Sequence, residues 1–271
     1  MTPYFVSFYP RIPLEENLSL FDPLVDPGVR DLLKQVAGVL LPPYTPPWRY
    51  GEIKGPAREW FPRLDTRFEC AGKIAQIRLF RRMGARCPET LVFADCDQLL
   101  RYFARFGSPW GYPLVLKGDK GGGGSTVYPI HSPEEIARQV ARLPRQEPVL
   151  LQKMVDHGGK DLRVVVHGDR AVSYFRVGGG QFYNNVCRGG RIERELWPEQ
   201  SRIGRQAVLA FSRRAAIDMA GFDLMFADDR SPFFIEINFH FGRKGLGGLS
   251  GHQDHLQQAF QRWRQRILNP V

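Results

Sequence analysis

Apolar residues in this chain recur with two different spacings. Between Ala71 and Met83, Ile74, Ile77, Phe80 and Met83 return every third position, which predicts a helix with one buried face, and Gly84 offers its C-cap. Elsewhere, short apolar runs lie between turn residues and read as strands. PLVLK and STVYPI flank a run of glycines, PVLLQKMV follows, and DLRVVV and AVSYFRV are joined by the turn His167-Gly168-Asp169-Arg170. Ser132-Pro133-Glu134-Glu135 has the pattern of a capping box with proline at N1, opening a helix over EEIARQVARL. A longer helix is expected from Ser201 to Ala220, stopping at Gly221. Two strands, FDLMF and FFIEINF, then flank the polar turn DDRSP, and a helix from Gln253 to Leu268 closes the chain. The region before residue 68 is proline-rich, with one helix in PLVDPGVRDLLKQVAG and one short strand in VAGVLLPP, so it reads as a small, loop-rich module. The glycine runs are the only low-complexity tracts of the whole chain, and no repeat of solenoid period occurs.

Composition narrows the class. With 271 residues, 43% of them hydrophobic, the chain can bury a sizeable core in one or two modest domains. MTPYFVSFYPRIP has no basic stretch leading into an apolar h-region, and no 18-residue apolar run follows, so a soluble cytoplasmic protein without membrane contact is expected. Cys70, Cys87, Cys96 and Cys187 lack CxxC spacing or neighbouring histidines and read as buried thiols rather than zinc ligands or nucleophiles. The net charge of +10 would attract nucleic acid, an acidic protein or a small polyanion such as a nucleotide. No block of Lys and Arg alone occurs, and FQRWRQRI fits an amphipathic surface helix better than a nucleic-acid arm.

Two constellations carry chemistry. In the first, Lys117 closes the strand PLVLK just before Gly118-Asp119-Lys120-Gly121-Gly122-Gly123-Gly124-Ser125. Glycine neither blocks an approaching phosphate nor forbids positive φ, so backbone N–H groups of this loop can meet phosphate oxygens beside the lysine ammonium. The order matches neither a P-loop nor a dinucleotide fingerprint, and a strand rather than a helix follows. In the second, Glu236 and Asn238 stand two apart in FFIEINF and share a strand face, while Ile235 and Ile237 are expected to point into apolar surroundings. A hairpin through DDRSP would set Asp223 opposite Glu236 or Ile237. Two carboxylates and an amide oxygen suit magnesium, which takes few protein ligands and completes its shell with phosphates and water. Both acids are expected to be replaceable without loss of the fold.

This order of parts resembles the ATP-grasp superfamily, in particular the branch of glutathione synthetase and the ribosomal-protein glutamate ligases. The resemblance spans about residues 68 to 250. It rests on Gly72-Lys73 opening a helix that ends in MGARCPET, on PLVLKGDKGGGG, VLLQKMV, KDLRVVVHGDRAV and FYNNVCRGG, and on FDLMF with FFIEINFHFG. It implies an α+β fold of α/β type, with two α+β lobes (68–150 and 151–271) clasping ATP behind the N-terminal module (1–67). It further implies that Lys73 and Lys117 hold the phosphates and that Gly121, Gly122, Gly123, Gly124 and Ser125 cover them. Lys153, Met154 and Val155 would offer backbone groups to adenine, and Asp161 would lie in the nucleotide pocket. Arg163, Arg176 and Asn185 would contact phosphate or acyl-phosphate oxygens. Arg188 is a further catalytic candidate, and with Arg191, Arg243 and Lys244 it would grip an acidic substrate. Asp223, Glu236 and Asn238 would bind magnesium, commonly as a pair of ions, with manganese as a substitute.

The implied reaction moves the γ-phosphoryl of ATP to a small-molecule or peptide carboxylate, giving an acyl phosphate that an amine attacks, with ADP as product. Several positions depart from the family pattern. Gly72 stands where an acid usually precedes the lysine, Lys153 where the hinge often has an acid, Tyr183 where the glutamate ligases tend to have arginine, and His240-Phe241 where a small residue and proline commonly follow the last asparagine. A phosphotransferase would share every nucleotide residue, and a nucleotide-binding regulator would bind without turnover. A nucleic-acid module would account for the charge but leave Asp223, Glu236 and Asn238 unexplained.

Overall fold

A computed structural model describes residues 4–21, 27–178, 182, 189–227 and 231–270. In chain order the first region contains β1 (Phe5–Ser7), β2 (Glu16–Asn17), α1 (Pro27–Gln35), β3 (Gly38–Leu40), α2 (Pro47–Lys54), β4 (Trp60–Phe61) and α3 (Asp65–Glu69). Next come α4 (Lys73–Arg82), β5 (Thr90–Phe93), α5 (Cys96–Phe106), β6 (Leu114–Gly118), β7 (Val127–Ile130), α6 (Glu135–Val140) and β8 (Val149–Lys153). The rest comprises β9 (Lys160–His167), β10 (Arg170–Val177), β11 (Arg191–Glu193), α7 (Pro198–Arg214), β12 (Met219–Met225), β13 (Phe233–Asn238) and α8 (Gly248–Leu268).

Three sheets result. The first is parallel, in the order β2-β1-β3-β4. The loop-rich expectation missed this sheet because its strands are two or three residues long, too short to show alternation. The second runs β5-β8-β6-β7 and the third β11-β10-β9-β12-β13, both antiparallel throughout.

The third sheet has two unlike faces, as period-two alternation requires. Leu162, Val164 and Val166 of β9 and Phe222 and Leu224 of β12 join Val208 and Phe211 of α7 and Ile74, Ile77 and Phe80 of α4 in one buried cluster. The opposite face carries Asp161, Arg163, Arg176 and Asp223, all buried. Helix α8 lays Leu256, Ala259, Phe260 and Trp263 against Phe5, Leu40 and Phe61 of the first sheet, with Met219 of β12 in the same cluster. Arg63 ties the first region to the third sheet: its backbone N–H and Nε donate to Asp218 Oδ2 at 2.7 and 3.0 Å. In α8, Arg262 pairs with Asp169 and Arg264 with Glu15, so FQRWRQRI is an amphipathic surface helix with its charges engaged.

Four sequence expectations need correction. The helix expected to reach Ala220 ends at Arg214, because Ala216 takes a positive φ of 53° and turns the chain into β12, where Gly221 lies within the strand. The helix after Ser132 covers only Glu135–Val140, and its Glu135 carboxylate accepts from the His131 N–H at 2.8 Å. Helix α8 starts at Gly248, ahead of the expected Gln253. Finally, a bulge between Asp223 and Leu224 pairs Glu236 with Asp223 and Phe234 with Leu224, leaving Ile235 the extra residue. Phe234 and Ile237 therefore both face the core, and Ile235 lines the cleft beside Glu236. Cys70 and Cys96 are buried free thiols and Cys87 is half-buried, while Cys187 lies outside the described residues.

Candidate active site

Between the second and third sheets lies a cleft of about 880 Å³, lined by residues from both. Strand β6 delivers Lys117 to it, and the loop to β7 delivers Gly121 and Gly124. The loop's shape depends on glycine, since Gly121, Gly123 and Gly124 have φ of 105°, 61° and 77°. Ser125 N–H donates to Gly122 O at 3.2 Å and Thr126 Oγ1 to Lys120 O at 2.7 Å, which closes the loop on itself.

Helix α4 points its first residue, Lys73, into the same cleft, where Nζ donates to Gly121 O at 2.9 Å. The N-terminus of α4 is capped from outside the helix: Asp119, one residue past β6, accepts from Ile74 N–H through Oδ1 at 2.8 Å and from Lys73 N–H through its carbonyl at 3.1 Å. A Cβ at residue 72 would collide with the Asp119 carboxylate. Asp119 thus supplies a carboxylate at the start of α4, and Gly72 leaves room for it.

Burial lowers the pKa of both lysines, Lys117 to about 8, while Glu236 across the cleft opposes the fall. Glu236 is itself raised, by burial and then by Asp223, with Lys73 and Lys117 pulling the other way. Among the described residues Lys117 and Glu236 have no ion pair within bonding distance. Glutamine 76 of α4 holds the metal-candidate strand in place, its amide donating to Ile237 O at 2.9 Å and accepting from Ile237 N–H at 2.8 Å. No sequence signal marked Gln76, because its partner is 161 residues away.

Sheet register builds the charged floor of the cleft. Asp223 on β12 stands between Arg163 on β9 and Glu236 on β13, and Asp161 on β9 faces Arg176 on β10. Arg163 Nε lies 2.5 Å from Asp223 Oδ1, Arg176 Nη2 lies 2.8 Å from the same oxygen, and Arg176 Nε lies 2.6 Å from Asp161 Oδ1. Burial pushes Asp223 up, but Arg163 and Arg176 outweigh it and hold the carboxyl below its usual range. For Asp161, burial wins over the pull of Arg176 and the shift is upward. Arg176 is desolvated too, yet the two aspartates keep it firmly protonated.

The metal candidates differ in availability. Asp223 is already engaged by two guanidinium groups, and Asn238 donates Nδ2 to Asp223 Oδ2 at 3.2 Å. Glu236, with no bonded partner among the described residues, is the open carboxylate. No cluster of three His, Cys, Asp or Glu side chains that could hold a metal occurs among the described residues. Two acids and an amide oxygen fit an ion that takes few protein donors, as magnesium does beside phosphates.

Of the other expected site residues, Lys153, Met154, Val155 and Asp161 line the same cleft. The Lys153 ammonium turns outward to Glu89 at 3.1 Å, so only its backbone serves the cleft. Arg191 is exposed and paired with Glu193. Asn185, Arg188 and Tyr183 lie outside the described residues. Sequence reading passed over Val115, Gln152, His157 and Met225, which also line the cleft. A second cavity, sharing Arg176, Asp223 and Glu236 with the first, continues to Arg163, Asn238, His240 and Lys244.

Comparison with known proteins accords with this arrangement. No protein-family profile matches the chain. Among solved structures, D-alanine–D-alanine ligase from Bacillus anthracis complexed with ATP is similar at a TM-score of 0.57 and 16% identity, over 92% of this chain and 87% of that one. The ATP-grasp ligase PsnB, complexed with a phosphomimetic variant of its minimal precursor, Mg and ADP, is similar at a TM-score of 0.54 and 18% identity, over 83% of this chain and 78% of that one. The chain has the ATP-grasp fold. Curated relatives of this ATP-grasp chain include human N-acetylaspartylglutamate synthase A, 27% identical over 183 residues, which are 66% of this chain and 46% of that protein. Human beta-citrylglutamate synthase B is 29% identical over 64% of this chain and 45% of that protein. A probable alpha-L-glutamate ligase of Rhodopirellula baltica is 27% identical over 64% and 42%. The ATP-grasp chain thus spans about half the length of the curated relatives it matches. Among its described residues no helix is long and apolar enough to cross a membrane.

Proposed function

We propose that the chain is a ligase that uses ATP to join a carboxylate to an amine, releasing ADP and phosphate. The observation that carries this reading is a single cleft in which Lys73, Lys117 and a glycine loop face Asp223, Glu236 and Arg176. The relatives named as synthases and ligases of glutamate compounds support it, as do the ATP and ADP in the similar structures. In this reading residues 1–67 form the substrate-side module, 68–150 the lobe with the glycine loop and 151–271 the lobe with the metal site.

In the first step a carboxylate oxygen attacks the γ-phosphorus, an acyl-phosphate bond forms, and the bond to the bridging oxygen breaks as ADP leaves with the electron pair. The amine nitrogen then attacks the acyl carbon, phosphate leaves with the C–O electron pair, and the nitrogen gives up a proton to solvent. No protein nucleophile is needed, because phosphoryl transfer depends on positioning and charge neutralisation. Lys73 and Lys117 supply positive charge from the glycine-loop side, and bound phosphates would favour the protonated Lys117 that burial disfavours. Arg163 and Arg176, locked by Asp223 and Asp161, present fixed guanidinium groups and need little reorganisation during transfer. Glu236, Asn238 and Asp223 would hold magnesium, which supplies further neutralisation of the triphosphate. The glycine loop would keep water from the acyl phosphate.

The test is interception. With Mg·ATP, a broad extract of small metabolites and excess hydroxylamine, the protein is expected to give a hydroxamate with equal amounts of ADP and inorganic phosphate. AMP and pyrophosphate would overturn the mechanism. A phosphorylated product that resists hydroxylamine would instead mark a phosphotransferase.

A further inference from the structure

A third cavity, of about 1160 Å³, lies where the first region meets the turn after β13. It adjoins the second cavity, with which it shares His240 and Phe241, and the second in turn shares Arg176, Asp223 and Glu236 with the cleft between the sheets. Among the described residues its lining contains Arg11, Arg67 and Arg243 and no aspartate or glutamate.

Elsewhere several arginines pair with a carboxylate: Arg63 with Asp218, Arg262 with Asp169 and Arg264 with Glu15. Arg67 is treated differently. It is half-buried, and its guanidinium donates to the Pro43 carbonyl and lies 3.2 Å from His240 Nε2, both of them neutral groups. Burial lowers its pKa, and no acid restores it. Among the described residues Arg11 and Arg243 have no ion pair either. Three guanidinium groups gathered around one cavity repel one another, and that arrangement becomes favourable when an anion fills it.

We propose that this cavity seats a second anionic group of the acid substrate, which is therefore a small compound carrying at least two anionic groups. One is activated beside Glu236 and Arg176, and the other is held by Arg67, Arg243 and Arg11. The inference rests on the ligase reading and narrows its substrate class. It also gives the N-terminal region a role: Arg11 follows the first strand, and Arg67 sits on α3 immediately before the ATP-binding elements.

Calorimetric titration of the full chain saturated with Mg·ADP tests it, with glutarate as the dicarboxylate, 3-phosphoglycerate as the mixed phosphate and carboxylate, and butyrate as the single-charge control. At least one dianion is expected to bind tenfold or more tightly than butyrate, and the better of the two shows whether the second group is carboxylate or phosphate. Arg67→Gln and Arg243→Gln should each weaken that binding tenfold or more and leave ADP affinity within twofold. Equal binding of butyrate and both dianions would overturn the proposal, as would dianion binding that survives both substitutions. If Arg67→Gln does not fold, Arg243→Gln decides alone, because that side chain is exposed. The ligase reading fails by a different result, absence of ADP binding or of ADP formation, so the two failures are distinguishable.

Discussion

The floor of the cleft and its glycine-loop end contain the same kinds of charge in opposite states. On the floor, Asp223 and Asp161 are matched to Arg163 and Arg176 at 2.5–2.8 Å. At the other end, Lys117 and Glu236 feel each other across the cleft without a bonded partner among the described residues. A matched network holds geometry. An unmatched one can take its counter-charge from a ligand, and the cost of leaving it unmatched appears in the shifted pKa values of Lys117 and Glu236.

The sharpest way to break this contrast is Asp223→Ala. It leaves two buried guanidinium groups without their shared carboxylate, a loss of about 3–5 kcal/mol, read by denaturant unfolding. Strand position alone leads to the expectation that the milder Asp223→Asn leaves the fold intact, since it shows the acid but not the two arginines around it, and the same unfolding measurement on that variant checks it. Glu236→Gln should do the reverse. Stability is expected to change by less than about 1 kcal/mol, while ATP turnover falls at least about 100-fold, because no bonded partner is lost and an open carboxylate is. If both variants lose stability alike, the distinction between the two ends fails.

Lys117→Ala should weaken nucleotide binding by about tenfold to 100-fold and leave the melting temperature unchanged or slightly higher, since a desolvated ammonium has been removed. Lys117→Arg should not restore affinity, because a planar fork replaces a compact charge in a buried position. Calorimetric titration with ADP reads both.

A further test lies away from the cleft, at His167. It shares a hydrogen bond with His252, Nε2 to Nδ1 at 3.1 Å, and burial followed by its neighbouring histidines lowers its pKa from 6.5 to about 3. On acidification the unfolded chain therefore takes up this proton first. The stabilisation is complete above pH 6.5 and declines toward pH 3 by up to about 1.4 kcal/mol per pH unit. His167→Gln should flatten that part of the stability profile.

The smallest effect is expected at Gly72. Replacement by Ala must move the Asp119 carboxylate off the α4 N-terminus, at about the usual cost of a lost cap, 0.5–2 kcal/mol.

The strands and the charged groups of the cleft were legible because their signals are local. Lys117 before four glycines, and Glu236 two residues from Asn238, can be seen in a window of ten residues, and the Asp223 to Glu236 register followed from the hairpin. What was not legible depends on distant partners or on very short elements. Gln76 reaches a strand 161 residues away, the first sheet is built from fragments too short to alternate, and the bulge that exposes Ile235 arises from an uneven count between two strands. The side-chain direction of Lys153 was likewise invisible, because Glu89 arrives from before β5.

The exchange between residues 72 and 119 bears on how relatives of this chain should be sought. A profile that scores each column separately registers Gly72 as the loss of an acid, and Asp119 as an ordinary loop residue. A search that treats the two positions as one coupled character would register a carboxylate at the start of α4 whichever of the two positions supplies it. Chains with an acid at 72 and a small residue at 119 and chains like this one would then group together, and the double replacement, glycine for aspartate at one position and the reverse at the other, should preserve helix and loop where either single change disturbs them.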